Sequence, residues 1–114
     1  MAISSPSTRI QDIADEFVFL DRTAVLAYLT DSGNVVPHLA TLVLQARNIY
    51  GGDTVVSLRR DRDPDANSEY LVVGVRTALA PANAHTLLSR LREEWWATTP
   101  PEVEDHVLVA NEFV

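Results

Sequence analysis

Apolar residues recur along the first half of the chain with the period of a helix and, past Gly51-Gly52, with the period of a strand. Ser5 before Pro6 has the form of an N-cap followed by proline, and Ile10, Ile13, Ala14 and Phe17 then share a face. That spacing predicts a helix over about residues 6–19. Asp21 can cap a second, short helix in which Val25, Leu26 and Leu29 line up, until Asp31-Ser32-Gly33-Asn34 turns the chain. A third helix is predicted over about residues 36–50, because Pro37 is tolerated in a first turn and Gly51-Gly52 supplies a stop. Its stripe of Val36, Leu39, Ala40, Val43, Ala46 and Tyr50 is widened by Leu42, Leu44 and Ile49, so it is expected to be buried on more than one side.

Residues 54–60 alternate and are rich in β-branched side chains, residues 69–77 do the same, and a polar stretch with one proline joins them. The simplest arrangement is an antiparallel hairpin with a longish solvated loop, in which Val56 and Leu58 face the same side as Leu71, Val73 and Val75. Pro81 opens the clearest helix, whose Ala84, Leu87, Leu88, Leu91 and Trp95 follow helical spacing until Thr98-Thr99-Pro100-Pro101 ends it. Residues 106–113 alternate as a last strand. The expected fold is therefore α+β: N-terminal helices followed by β-β-α-β, with helices packed on a small, three-stranded, mainly antiparallel sheet. Pairing of the last strand with the first gives the order 2-1-3, which is the preferred arrangement. Pairing with the second gives 1-2-3 and a parallel edge.

A chain of 114 residues has room for one core and little more, so residues 1–114 are read as a single domain with residues 1–5 disordered. The absence of cysteine removes disulfides, thiolate nucleophiles and cysteine-based metal sites. A formal charge of -7 opposes direct binding to nucleic acid, where cations must displace counterions, although Arg59, Arg60 and Arg62 form one basic spot. The N-terminus lacks the form of a signal peptide and no apolar stretch is long enough to cross a bilayer, so a cytoplasmic, membrane-free protein is expected.

Leu26-Ala27-Tyr28-Leu29 before a turn, Ala46-Arg47-Asn48-Ile49-Tyr50-Gly51 closing a helix, the acidic loop at Asp63-Pro64-Asp65 and Val75-Arg76-Thr77 are joined by two more specific elements. These are Arg92-Glu93-Glu94-Trp95-Trp96 at a helix end and the terminal Asn111-Glu112-Phe113-Val114. Together they resemble a family of small, uncharacterised bacterial proteins over residues 25–114. The resemblance supports the element order and implies no reaction, cofactor or catalytic residue. Where that family carries a histidine and a proline in the second turn, this chain has Ser32-Gly33-Asn34, so a role for that histidine does not carry over.

Candidate chemistry is sparse. His38, His85 and His106 lie far apart with no adjacent acid or second ligand, the pattern of three separate surface imidazoles. Asp61, Asp63 and Asp65 copy the start of a calcium loop, but Ala66 stands in place of its glycine and Val72 in place of its bidentate glutamate. Glu93 and Glu94 are helix neighbours and point apart, with Glu94 placed to meet Arg90. No catalytic, metal or cofactor residue is therefore assigned.

The sheet face opposite the crossover helix would carry Val55, Ser57, Arg59, Tyr70, Val72, Gly74 and Arg76, a mixture of aromatic, aliphatic and arginine side chains found at the centres of protein interfaces. The competing arrangement has the N-terminal helices covering that face. Trp95 is expected in the core, and Trp96 either closes the core edge or offers a flat surface to another protein. The expected protein is a non-enzymatic regulatory or accessory subunit that works through protein–protein contacts, with itself as a homodimer or with a second protein. Its interface would be drawn from Val55, Ser57, Arg59, Tyr70, Val72, Arg76 and Trp96. Alternatives are a small enzyme or ligand-binding domain with a site around His85, Arg76 and Glu112, and an acidic partner of a toxin or nuclease.

Overall fold

A computed structural model describes residues 10–65 and 68–114. The expected disorder of residues 1–5, the first turn of the predicted first helix and Ala66 of the acidic loop lie outside the described residues. Within them the order is α1 (Ile10–Ile13), a 3-10 turn (Ala14–Glu16), β1 (Val18–Leu20), α2 (Arg22–Asp31), a second 3-10 turn (Gly33–Val35), α3 (Val36–Tyr50), β2 (Val56–Asp63), β3 (Ser68–Thr77), α4 (Pro81–Trp96), α5 (Pro101–Glu104) and β4 (Val107–Phe113).

The short α5 has no counterpart in the predicted order, and the predicted first helix is misread. It stops at Ile13, and Val18–Leu20 instead forms a strand, pairing parallel to β2 through Val18 with Ser57, Phe19 with Leu58 and Leu20 with Arg59. The physical reason lies in Phe17-Val18-Phe19-Leu20, a run of aromatic and branched side chains that gain more from a sheet edge than from continuing a helix. Asp21 then reverses the chain with a left-handed backbone (φ 57°), and its carboxylate accepts the Ala24 N–H at 3.3 Å as the cap of α2. The two long helices follow their predicted patterns: α3 spans Val36–Tyr50 and α4 spans Pro81–Trp96.

The fold is α+β, as its alternation of periods implies, but the sheet is four-stranded and mixed, in the order β1-β2-β3-β4. The hairpin of β2 and β3 is antiparallel, with Val56 opposite Val75 and Leu58 opposite Val73. Its ladder continues through Asp61–Tyr70, Arg62–Glu69 and Asp63–Ser68, so the connection is shorter than predicted. Arg60 and Glu69 form an ion pair beside that extension, and Arg60 also donates to the Ala24 carbonyl. The preferred order 2-1-3 is corrected: β4 lies beside β3 and parallel to it. Leu71, Val72, Val73, Gly74 and Val75 are all buried, and a strand apolar on both faces belongs in a sheet interior, while β1 occupies the edge that the last strand would have needed.

The helices form one layer. Val25, Leu29, Leu39, Leu42, Val43, Ala46, Leu88, Leu91 and Trp95 share a continuous core with Val56, Leu58, Leu71, Val73, Val75, Val107 and Val109. Trp95 is fully buried, and its indole N–H donates to the His38 carbonyl at 2.9 Å, which ties α4 to the start of α3. No helix among the described residues is long and apolar enough to cross a membrane.

Candidate functional site

One residue along each strand from the core set, the side chains point to the other side of the sheet. The registers place Val18, Ser57, Gly74 and Ala110 in one row across the four strands, Leu20, Arg59, Val72 and Leu108 in the next, and Val55, Arg76 and Glu112 in the row on the other side. None of these residues joins the core shared by the helices and the sheet. The alternative in which N-terminal helices cover this face is not what the described helices do, since α1 and α2 pack in the same layer as α3. Val18, Leu20, Val55 and Leu108 are left 37–46% exposed.

The centre of the face is polar and ordered. Glu112 receives a hydrogen bond from Arg76 Nε at 2.7 Å and one from the Ser57 hydroxyl at 2.8 Å, joining β2, β3 and β4 through one carboxylate. Gly74 makes this possible. A Cβ at that position would stand 2.6 Å from both Glu112 Oε2 and Ser57 Oγ, inside any tolerable contact, so the carboxylate lies where a side chain would otherwise be. The bond from Arg76 holds the Glu112 carboxyl below its ordinary value of 4.5, the Ser57 hydroxyl acts in the same direction, and burial opposes both. A carboxylate so satisfied is a weak base, and its lone pairs are spent on structure. Arg59 is paired with Asp61 on its own strand at 3.6 Å.

The sheet edges differ from the face. Leu71 N–H donates to the His106 carbonyl at 2.9 Å and Val114 N–H to the Thr77 carbonyl at 3.2 Å. In a parallel ladder with that phase, Val107, Val109, Asn111 and Phe113 turn their backbone groups outward. Arg92 of α4 wraps this edge, its Nε and Nη2 donating to the Val109 carbonyl at 3.1 and 2.6 Å. The opposite edge is β1, only three residues long.

Of the seven predicted interface residues, Val55, Ser57, Arg59, Tyr70, Val72 and Arg76 belong to one face. Ser57 and Val72 are buried in its floor, and Tyr70 lies opposite Asp61 on the projecting hairpin. Trp96 is exposed at the end of α4, in the helical layer, and so belongs to a different surface. The predicted grouping of Arg76 with Glu112 is realised, but His85 is exposed on α4 across the sheet from that pair. Asp61 and Asp63 lie in β2, and Asp63 accepts the Asp65 N–H at 3.0 Å in a turn. No group of three or more His, Asp or Glu side chains that could hold a metal occurs among the described residues.

Val18, Leu20, Leu108 and Glu112 are additions to the predicted face. The run Phe17-Val18-Phe19-Leu20 carried the signal for the first two, and the unbroken apolar stretch Val107-Leu108-Val109-Ala110 implied two apolar faces for the last strand.

At one end of the face an open cleft of about 530 Å³ is lined by Tyr50, Asp53, Val55, Arg76, Leu79 and Val114, among others. Two of the polar groups on its wall are already engaged: Tyr50 donates to Asn111 Oδ1 at 2.7 Å, and Arg76 Nε donates to Glu112. Burial pushes the Tyr50 phenol above its ordinary value. Comparison of the chain with protein-family models, curated proteins and solved structures gave no match, so function has to be read from the residues of this face.

Proposed function

We propose that this chain is a non-enzymatic accessory or regulatory subunit whose protein contacts are made on the open face of its sheet. One observation carries the reading: the described helices all lie on one side of a four-stranded sheet, and the other side presents exposed Val18, Leu20, Val55 and Leu108 around an ordered polar centre. Aliphatic side chains left in water beside an arginine are a kind of surface that protein contacts cover, and the arrangement supports binding over chemistry because its carboxylate is neutralised. Single exposed aliphatics are ordinary on any protein surface; here four share one face of one sheet.

The test compares two variants of equal chemistry. Leu20→Glu with Leu108→Glu charges the open face, and Leu44→Glu charges α3, where Leu44 is 67% exposed. The expected result is that complexes formed by the wild-type chain, with itself or with a foreign protein in native extract, survive Leu44→Glu and are lost in the double variant. Complexes lost with Leu44→Glu and kept in the double variant would assign contact to the helical layer and overturn the reading.

A further inference from the structure

The geometry points to a second copy of this chain as the occupant of the open face, two sheets stacking face to face about a two-fold axis. The inference rests on the protein-contact reading above and adds the identity of the partner. Three observations carry it: the charge of the face, its area and the state of the sheet edges.

The chain as a whole has a formal charge of -7, so most pairs of surfaces taken from two copies repel. Where the four strands lie side by side, the open face carries Arg59 and Arg76 against Glu112, and Asp61 pairs with Arg59 just beyond. With Asp61 counted it is close to neutral, each arginine having one carboxylate beside it. A strongly acidic partner finds no excess of positive charge at its centre, and a strongly basic one finds no excess of carboxylate. A surface of the same kind, apolar with internally balanced charge, meets it without like-charge contact.

The area fits a weak, reversible contact. With ~4.8 Å between strands and ~3.3 Å per residue, three strands of about seven residues and the three residues of β1 make a patch of roughly 400 Å². Two such patches remove about 800 Å² from water, the size of transient rather than permanent contacts between proteins. Stacked sheets at this spacing interdigitate at ~10 Å, as in sandwich cores.

Edge-to-edge pairing, the other route to a symmetric dimer, is obstructed. A partner strand beside β4 has to displace the Arg92 guanidinium from the Val109 carbonyl, and β1 offers three residues. Of the sheet's own surfaces, that leaves the face.

Light scattering on the purified full chain is the test, with hydrodynamic separation over a dilution series. The wild type is expected to approach twice the chain mass at the concentrated end of the series and to fall toward single mass on dilution. Leu20→Glu with Leu108→Glu is expected at single mass, or with a dimer dissociation constant raised at least about tenfold, and Leu44→Glu is expected to match the wild type. Circular dichroism and thermal unfolding verify that each variant folds.

Because the chain has no cysteine, Ala110→Cys and Leu44→Cys supply a second readout. A short thiol cross-linker should couple copies through the first and not the second. A wild-type chain that is a single mass at every concentration overturns the self-docking inference and leaves the protein-contact reading to its own test with foreign partners. A dimer indifferent to the double variant and linked through Leu44→Cys overturns both. A dimer that forms only when Arg92→Ala frees the edge overturns the face-to-face geometry.

Discussion

On the helix-covered side of the sheet Val56, Leu58, Leu71, Val73 and Val75 have at most 1% of their surface in water, while one residue along the same strands Val55 is 38% exposed and Arg76 and Glu112 meet in a hydrogen bond. The same backbone thus supports two surfaces of opposite character. The covered side holds the molecule together by excluding water from aliphatic and indole groups. The open side is organised by directional bonds among polar groups and keeps its apolar side chains at the rim. Stability should be concentrated on the first and association on the second.

The difference is sharpest under truncation. Trp95→Ala removes a fully buried ring and an indole hydrogen bond to the His38 carbonyl, and should cost about 3–5 kcal/mol in urea unfolding. Leu108→Ala, at the rim of the open face, should cost less than about 1 kcal/mol in the monomer. Equal losses at the two positions would abolish the distinction between the faces. Next in size is Gly74→Ala. Its Cβ displaces Glu112 and Ser57 from their shared position, with an expected cost of about 1–2 kcal/mol from overpacking and lost hydrogen bonds. In a Glu112→Ala background the same substitution should cost distinctly less, and an unchanged cost would show that Glu112 does not sit against Gly74.

Asp21 stands at the corner where the chain leaves β1 and enters the helical layer. Asp21→Ala loses the cap on α2 and places alanine in a left-handed conformation, for about 1–2 kcal/mol in thermal or urea unfolding. Asp21→Gly should be the milder change, because glycine adopts that conformation freely and substitutes for a cap at a cost of only a few tenths. Glycine proving worse than alanine there would remove the corner from the account.

These residues also mark how far the sequence could be read. Periodicity located α3, α4 and the hairpin because each has ample apolar positions and strong stops, such as Gly51-Gly52 and Pro100-Pro101. It failed over Phe17-Val18-Phe19-Leu20, where Ile10, Ile13 and Phe17 extend a helical pattern into residues whose branched and aromatic side chains prefer a strand. Strand order was underdetermined because local spacing does not say which neighbour a strand pairs with. The burial of β3 on both faces was the available signal, visible as Leu71-Val72-Val73-Gly74-Val75 without a polar break. Arg76 and Glu112 were grouped from the sequence as members of one possible site, but not as a pair across two strands. Their meeting depends on the parallel register of β3 and β4 and on a missing side chain at Gly74, and neither is a local property.

The smallest effect is the one that reads the open face alone. Glu112 has its folded pKa depressed, first by the hydrogen bond from Arg76 and then by that from Ser57. For a carboxylate shifted in that direction the native state gains stability above the unfolded value, near 4.5, and loses it as pH falls through the lower folded value. Wild-type urea midpoints should therefore fall on acidification below that ordinary value by more than those of Glu112→Gln, whose amide keeps the shape and does not titrate. The Trp95→Ala variant should run parallel to the wild type over the same range, because the ring it removes lies on the covered side and leaves the Glu112 cluster in place. Protonation also strips the carboxylate that offsets Arg76 on the open face, so association through that face should weaken over the same interval. Parallel profiles for wild type and Glu112→Gln would mean that the carboxylate is no better held in the folded chain than in the unfolded one, and the polar centre would lose its claim to be an organised part of the surface.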